Sequence, residues 1–141
     1  MTMGAELGGV LTVKGVPAKR FVESQDHQHE LIRELRLVEI GERFDLTSRN
    51  VSQRLGSLIA EILEGWGDVR STTRNQAIAA IERGEDEVDL TIPVRPGLAD
   101  ALQRWLRLLD EADRFCEGGE LLTMAASPEI RELRAWYVAE I

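Results

Sequence analysis

Between Leu98 and Cys116 the chain repeats apolar side chains at a helical spacing. Leu98, Leu102, Trp105, Leu108, Leu109, Ala112, Phe115 and Cys116 fall on one wide face. A face of that width is stable only when other elements cover it, so this segment fixes the kind of fold the chain can adopt. Pro96-Gly97 opens the helix and Gly118-Gly119 stops it.

The rest of the chain supplies matching faces. After Pro17, which suits a first helical turn, Phe21, Leu31, Ile32, Leu35 and Val38 share one side of a helix running to about Glu42. Gly41 and Phe44-Asp45 predict a break. A second helix follows, capped by Thr47 or Ser48, with Val51, Leu55, Leu58, Ile59, Ile62 and Leu63 as its stripe and Gly65-Trp66-Gly67 as its end. Ser71-Thr72-Thr73 caps a shorter helix around Ala77, Ile78 and Ile81 that stops at Gly84. Ser127-Pro128-Glu129 combines a capping hydroxyl, proline at the first helical position and an acid at the positive helix end. Ile130, Leu133, Trp136, Tyr137 and Ile141 line the helix it starts. The chain then ends with no stop signal, as in a domain cut from a longer protein.

Two stretches read as extended. Val10-Leu-Thr-Val13 is β-like and ends at Gly15, so residues 1–16 are a loose arm or a single edge strand. Glu87 to Val94 alternates polar and apolar residues, and Pro93 keeps it from the middle of a sheet. The expected fold is therefore all-α. It is a bundle of four to five helices with short loops over residues 17–141, preceded by the arm.

Composition excludes several functions. The net charge is −8, and neither half has a cationic excess: residues 1–70 hold nine basic and eleven acidic groups, residues 71–141 eight and fourteen. Nucleic acid is not an expected partner, because phosphate contacts need clustered cations. The segment Phe44 to Gly56 resembles a helix-turn-helix, yet it lacks a basic flank. No segment approaches the roughly 20 apolar residues that cross a bilayer, so no membrane contact is expected. The opening residues have no basic start followed by a long apolar run, hence no signal peptide is read. One cysteine, Cys116, suits a reducing cytoplasm and allows neither a disulfide framework nor a thiolate cluster.

Chemistry-bearing motifs are few. His27 and His29 lie about 200° apart on a helix and cannot share one metal ion. Asp26, His29, Glu30 and Arg33 share a face and read as a solvated side of weak charge pairs. No nucleophile elbow, phosphate loop or dinucleotide fingerprint is present. Cys116 sits among apolar neighbours, the setting of an inert thiol. No catalytic, cofactor or metal residue is assigned.

More unusual are Ser24 and Gln28, which fall inside the apolar stripe, with His27 on its flank. These polar groups either fix helix register or line a pocket or partner groove with Trp105. Asp113 lies near the apolar face of its helix and is placed to pair with an arginine of a neighbour. Ser24, His27, Gln28, Trp105 and Asp113 are thus the candidate pocket or interface residues.

Two stretches also carry a family resemblance. Val16 to His27 with Leu31-Ile-Arg-Glu-Leu35 is the first. The second is Leu108 to Cys116 with Gly119 to Thr123, Ser127-Pro-Glu and Arg134-Ala-Trp136. Together they resemble a helical accessory segment of actinobacterial anti-sigma-factor-type signalling proteins, of the histidine-kinase-like ATPase class. The resemblance implies a non-catalytic regulatory role in partner switching that controls transcription. It implies an ATP-binding anti-sigma-type domain as partner, and the amphipathic faces with three tryptophans separately lead to the expectation of a homodimer. The nucleotide-holding motifs of that class are missing, so ATP binding is not carried over. The alternative from the residues alone is a small-ligand sensor with a pocket between helices near Ser24, Gln28 and Trp105.

Overall fold

The computed structural model describes residues 9–43, 53–119, 121 and 123–141, with side chains described outside 38–43 and 53–54. Strand β1 (Val10–Pro17) leads into helix α1 (Ala18–Arg43), followed by α2 (Gln53–Glu82), strand β2 (Glu87–Pro93), α3 (Leu98–Glu117) and α4 (Pro128–Ala139). The expected caps of Thr47 or Ser48, the break at Phe44-Asp45, Val51, and most of the segment resembling a helix-turn-helix lie outside the described residues.

The all-α expectation is corrected. β1 and β2 form a two-stranded antiparallel sheet, which gives the chain an α+β layout. Thr12 faces Thr91, Val13 faces Leu90 and Val16 faces Val88. Three steps along β1 therefore match two along β2, which is a bulge. Gly15 takes φ +68 there, a left-handed conformation that glycine adopts without a steric cost. Its N–H donates to Asp89 Oδ1 at 3.0 Å. The bulge lets Val13 and Val16, three apart, both point inward, where they join Leu90 and Ile92 in the core. A spacing of three hides the continuation of the strand beyond Gly15 from a period-two reading.

The free edge of β2 is covered by a side chain. Gln76 of α2 donates Nε2 to the Thr91 carbonyl at 2.9 Å and accepts the Thr91 N–H on Oε1 at 2.8 Å. Its carboxamide thus takes the place of a third strand's peptide group and satisfies an edge that would otherwise pair with another chain.

Helix α1 ends at Arg43, as expected from the helix read to about Glu42. One further boundary is corrected. The predicted second and third helices are one continuous helix, α2, which passes through both Gly65-Trp66-Gly67 and Ser71-Thr72-Thr73. Arg95 supports the glycine turn from outside: its guanidinium lies 4.1 Å from the Trp66 ring centre and donates to the Gly65 carbonyl. Thr73 does not cap a helix start. Its hydroxyl donates back to the Val69 carbonyl at 3.0 Å, as threonine does inside a helix. Local breaker signals yield here to packing, because α2 must reach along the full length of α1.

α1 and α2 are antiparallel: Asp26 meets Arg74, Gln28 meets Arg70, and Leu35 lies beside Gly56. The core has two parts. Leu31, Leu35, Leu55, Ile59, Trp105 and Leu109 fill the helical end. Phe21, Val69, Ala77, Leu98 and Leu133 pack under the sheet. The expected starts and stops of the later helices are met. Ser127 Oγ accepts the Ile130 N–H at 3.2 Å at the head of α4, Gly97 precedes α3 and Gly118 follows it.

Candidate functional site

The solvated face of α1 behaves as its charge pattern implies. Asp26, His29, Glu30 and Arg33 are exposed, while Phe21, Ser24, Gln25, Gln28, Leu31, Glu34 and Leu35 are buried. The three buried amides and hydroxyls sit one turn apart and face α2 and α3.

Gln28 is the hub. Its Oε1 accepts from Arg70 Nη2 at 3.0 Å and from the Trp105 indole N–H at 3.3 Å, and its Nε2 donates to Ser24 Oγ at 3.3 Å. The Arg70 guanidinium lies 5.6 Å from the Trp105 ring centre, in cation–π range. One amide on α1 thereby ties α2 and α3 together and fixes their register.

Beside this network lies a cavity of about 90 Å³. Ser24, Gln25 and Gln28 of α1, Trp66, Val69, Arg70 and Thr73 of α2, Ala101, Leu102 and Trp105 of α3, and Leu133, Arg134 and Tyr137 of α4 contribute to its wall. All four helices border it, and its surface is mostly apolar. A dry apolar cavity of about 150 Å³ takes a benzene molecule, so this one has room for roughly three to four carbon atoms.

Two cations reach this wall, in different electrical settings. Arg134, only 5 % exposed, donates Nη1 to Asp113 Oδ2 at 3.0 Å. Its Nε and Nη2 have no hydrogen-bond partner among the described residues. Arg70 has no carboxylate partner among the described residues. Desolvation, then the nearby Arg74 charge, lowers its pKa to about 10. His29 is pulled below its usual value by partial burial first, and then by Arg70 and Arg74, against the opposing pull of Asp26. In a chain of net charge −8, this corner between α1 and α2 is locally positive.

His27 and Asp113 serve another place. His27 Nε2 donates to the Met124 carbonyl at 2.7 Å. Asp113 accepts the Ala126 N–H on Oδ1 at 3.0 Å as well as the Arg134 pair. Glu34, which sequence reading missed, accepts the N–H and the hydroxyl of Thr123, both at 2.7 Å. Three side chains from α1 and α3 thus clamp the segment between α3 and α4. Of the five candidate residues, Ser24, Gln28 and Trp105 are brought together at the cavity, while His27 and Asp113 are joined to the clamp. Gln25 and Arg70 were also missed. Gln25 was legible one residue beyond Ser24 in the stripe, whereas Arg70 sits where a helix end was read.

Cys116 is half-buried between the clamp carboxylates. Burial, with Asp113, Glu34 and Glu117, pushes its thiol up to about 11. The thiolate attacks and the thiol does not. At pH 8 the reaction of Cys116 with an aromatic disulfide reagent is expected to run on the order of a hundredfold slower than in the urea-unfolded chain. Equal rates would show that the thiol is not shielded as placed.

Among the described residues, no three histidine, cysteine or acidic side chains are gathered as a metal site, and no helix is long and apolar enough to cross a membrane. The large exposed apolar residues Val10, Leu37, Met124 and Trp136 lie on four different segments. No known protein family, curated protein or solved structure matches the chain.

Proposed function

We propose that this chain is a non-catalytic, cytoplasmic regulatory module that senses a small ligand bound in the cavity between its four helices. The observation that carries the reading is the convergence of Ser24, Gln28 and Trp105 on one apolar-walled cavity. The cavity is far smaller than a drug-sized pocket, but its apolar wall with few polar groups has the same character on the scale of a ligand of a few heavy atoms. Because α1, α2, α3 and α4 all contribute to the wall, an occupant biases the packing of the whole helical layer. A partner protein then reads that bias. An occupant shifts that packing by its difference in affinity for the two arrangements, about 1.4 kcal/mol for each tenfold preference.

A screen of small neutral and charged molecules by NMR tests this reading. Binders are expected to shift the Trp105 indole N–H signal and raise the melting temperature. Ala101→Met places a flexible side chain in the cavity and is expected to abolish binding with the fold retained. Absence of any binder, or binders unaffected by Ala101→Met, would overturn the reading.

A further inference from the structure

The charges around the cavity narrow the class of ligand, on the reading that the cavity binds one. Its two cations are not equivalent. Arg134 is held by the buried carboxylate of Asp113, with Asp110 at 4.0 Å, so its charge is already balanced. Arg70 has no carboxylate partner among the described residues, and its neighbour Arg74 is itself paired with Asp26 at 2.8 Å. Arg70 is anchored by Gln28 and lies against Trp105, both residues of the cavity wall. It is therefore a positioned, partly desolvated and uncompensated cation beside an apolar space. Gln25 Oε1, buried without a hydrogen-bond partner among the described residues, lines the same cavity, but as an acceptor it offers no bond to an anion, so Arg70 is the group that would hold one.

From this placement we infer that the cavity takes a short aliphatic monocarboxylate, with its carboxylate on Arg70 and its hydrocarbon part among Val69, Leu102 and Trp105. A planar guanidinium fork matches a carboxylate in shape and charge. The volume sets the length. Beside the roughly 150 Å³ that takes a benzene molecule, about 90 Å³ accommodates three to four carbons, so acids of about four to six carbons fit once the carboxylate and its neighbouring carbon sit at Arg70. A larger polyanion is disfavoured, because only one cation of the wall lacks a counter-charge.

The test is a titration at constant ionic strength of unbranched acids from propanoate to octanoate, and of their primary amides. Binding is followed by NMR at the Trp105 and Trp66 indole signals. In the unaltered protein, affinity is expected to peak near pentanoate and to exceed that of pentanamide at least tenfold. In Arg70→Gln, the preference for pentanoate over pentanamide is expected to fall to about one, while Arg83→Gln, an exposed arginine paired with Glu85 outside the cavity, is expected to keep it at tenfold or more. Acids and amides binding equally would overturn the carboxylate inference and leave the pocket reading standing. No saturable shift with either series would overturn both.

Discussion

Asp113→Ala is expected to destabilise the protein by about 3–5 kcal/mol, the cost of removing one member of a buried ion pair. Asp113 is 2 % exposed and Arg134 5 %. The carboxylate accepts from Arg134 Nη1 and from the Ala126 N–H, and Arg131 approaches it at 3.7 Å. Truncation leaves a buried guanidinium that already has two unpartnered nitrogens with no buried counter-charge, and it orphans a backbone donor. Asp113→Asn keeps an acceptor for Ala126 but loses the charge, so it should fall between the two. Urea denaturation followed by circular dichroism measures the order. A loss below about 1 kcal/mol for Asp113→Ala would show that the pair is not closed in solution.

Leu90→Ala is expected to cost about 2–5 kcal/mol, the range for truncating a fully buried leucine. Leu90 is 0 % exposed on the inner face of β2, paired with Val13 and packed among residues of the helices. Val10→Ala, at a position 67 % exposed on β1, removes two carbons where Leu90→Ala removes three, from the same sheet, but should change stability by less than about 0.5 kcal/mol. The contrast separates burial from strand propensity. Equal effects at the two positions would mean that the sheet does not pack as described.

The helices were readable where periodicity and end signals agreed. For α4, Ser127-Pro128-Glu129 marked the start, and for α3 a wide apolar face lay between two glycine signals. The reading failed where tertiary packing overrode local chemistry. Gly65, Gly67 and Ser71–Thr73 carry every mark of a boundary, but Arg95 and Trp66 hold one side of that turn and Thr73 bonds back into the helix. The sheet was half legible. Alternation in β2 and the β-like run from Val10 to Val13 in β1 were both visible, but the bulge at Gly15 hid the continuation of β1 to Pro17, and pairing between segments so far apart leaves no local trace. At the cavity, polar residues inside an apolar stripe were a sufficient signal for Ser24 and Gln28. The role of Asp113 as an arginine's partner was also anticipated, but not that it joins Arg134 of the cavity wall to the segment between α3 and α4. Arg70 carried no such signal, since an arginine on a helix is ordinary until its partners are known.

The covered strand pair also has a bearing on how the chain folds. Gly15 and Asp89 are 74 residues apart. Closing a flexible loop of that length costs about 4 kcal/mol in chain entropy. Most of the intervening chain is α1 and α2, and once those helices lie antiparallel they bring β1 and β2 close at little further cost. The order that follows is helical pair first and sheet last, with long-range pairing completing what local contacts begin. The loss in Leu90→Ala should then appear mainly as faster unfolding rather than slower folding. On that account the sheet works as a clasp: it does little to start the fold, and it holds the finished one shut.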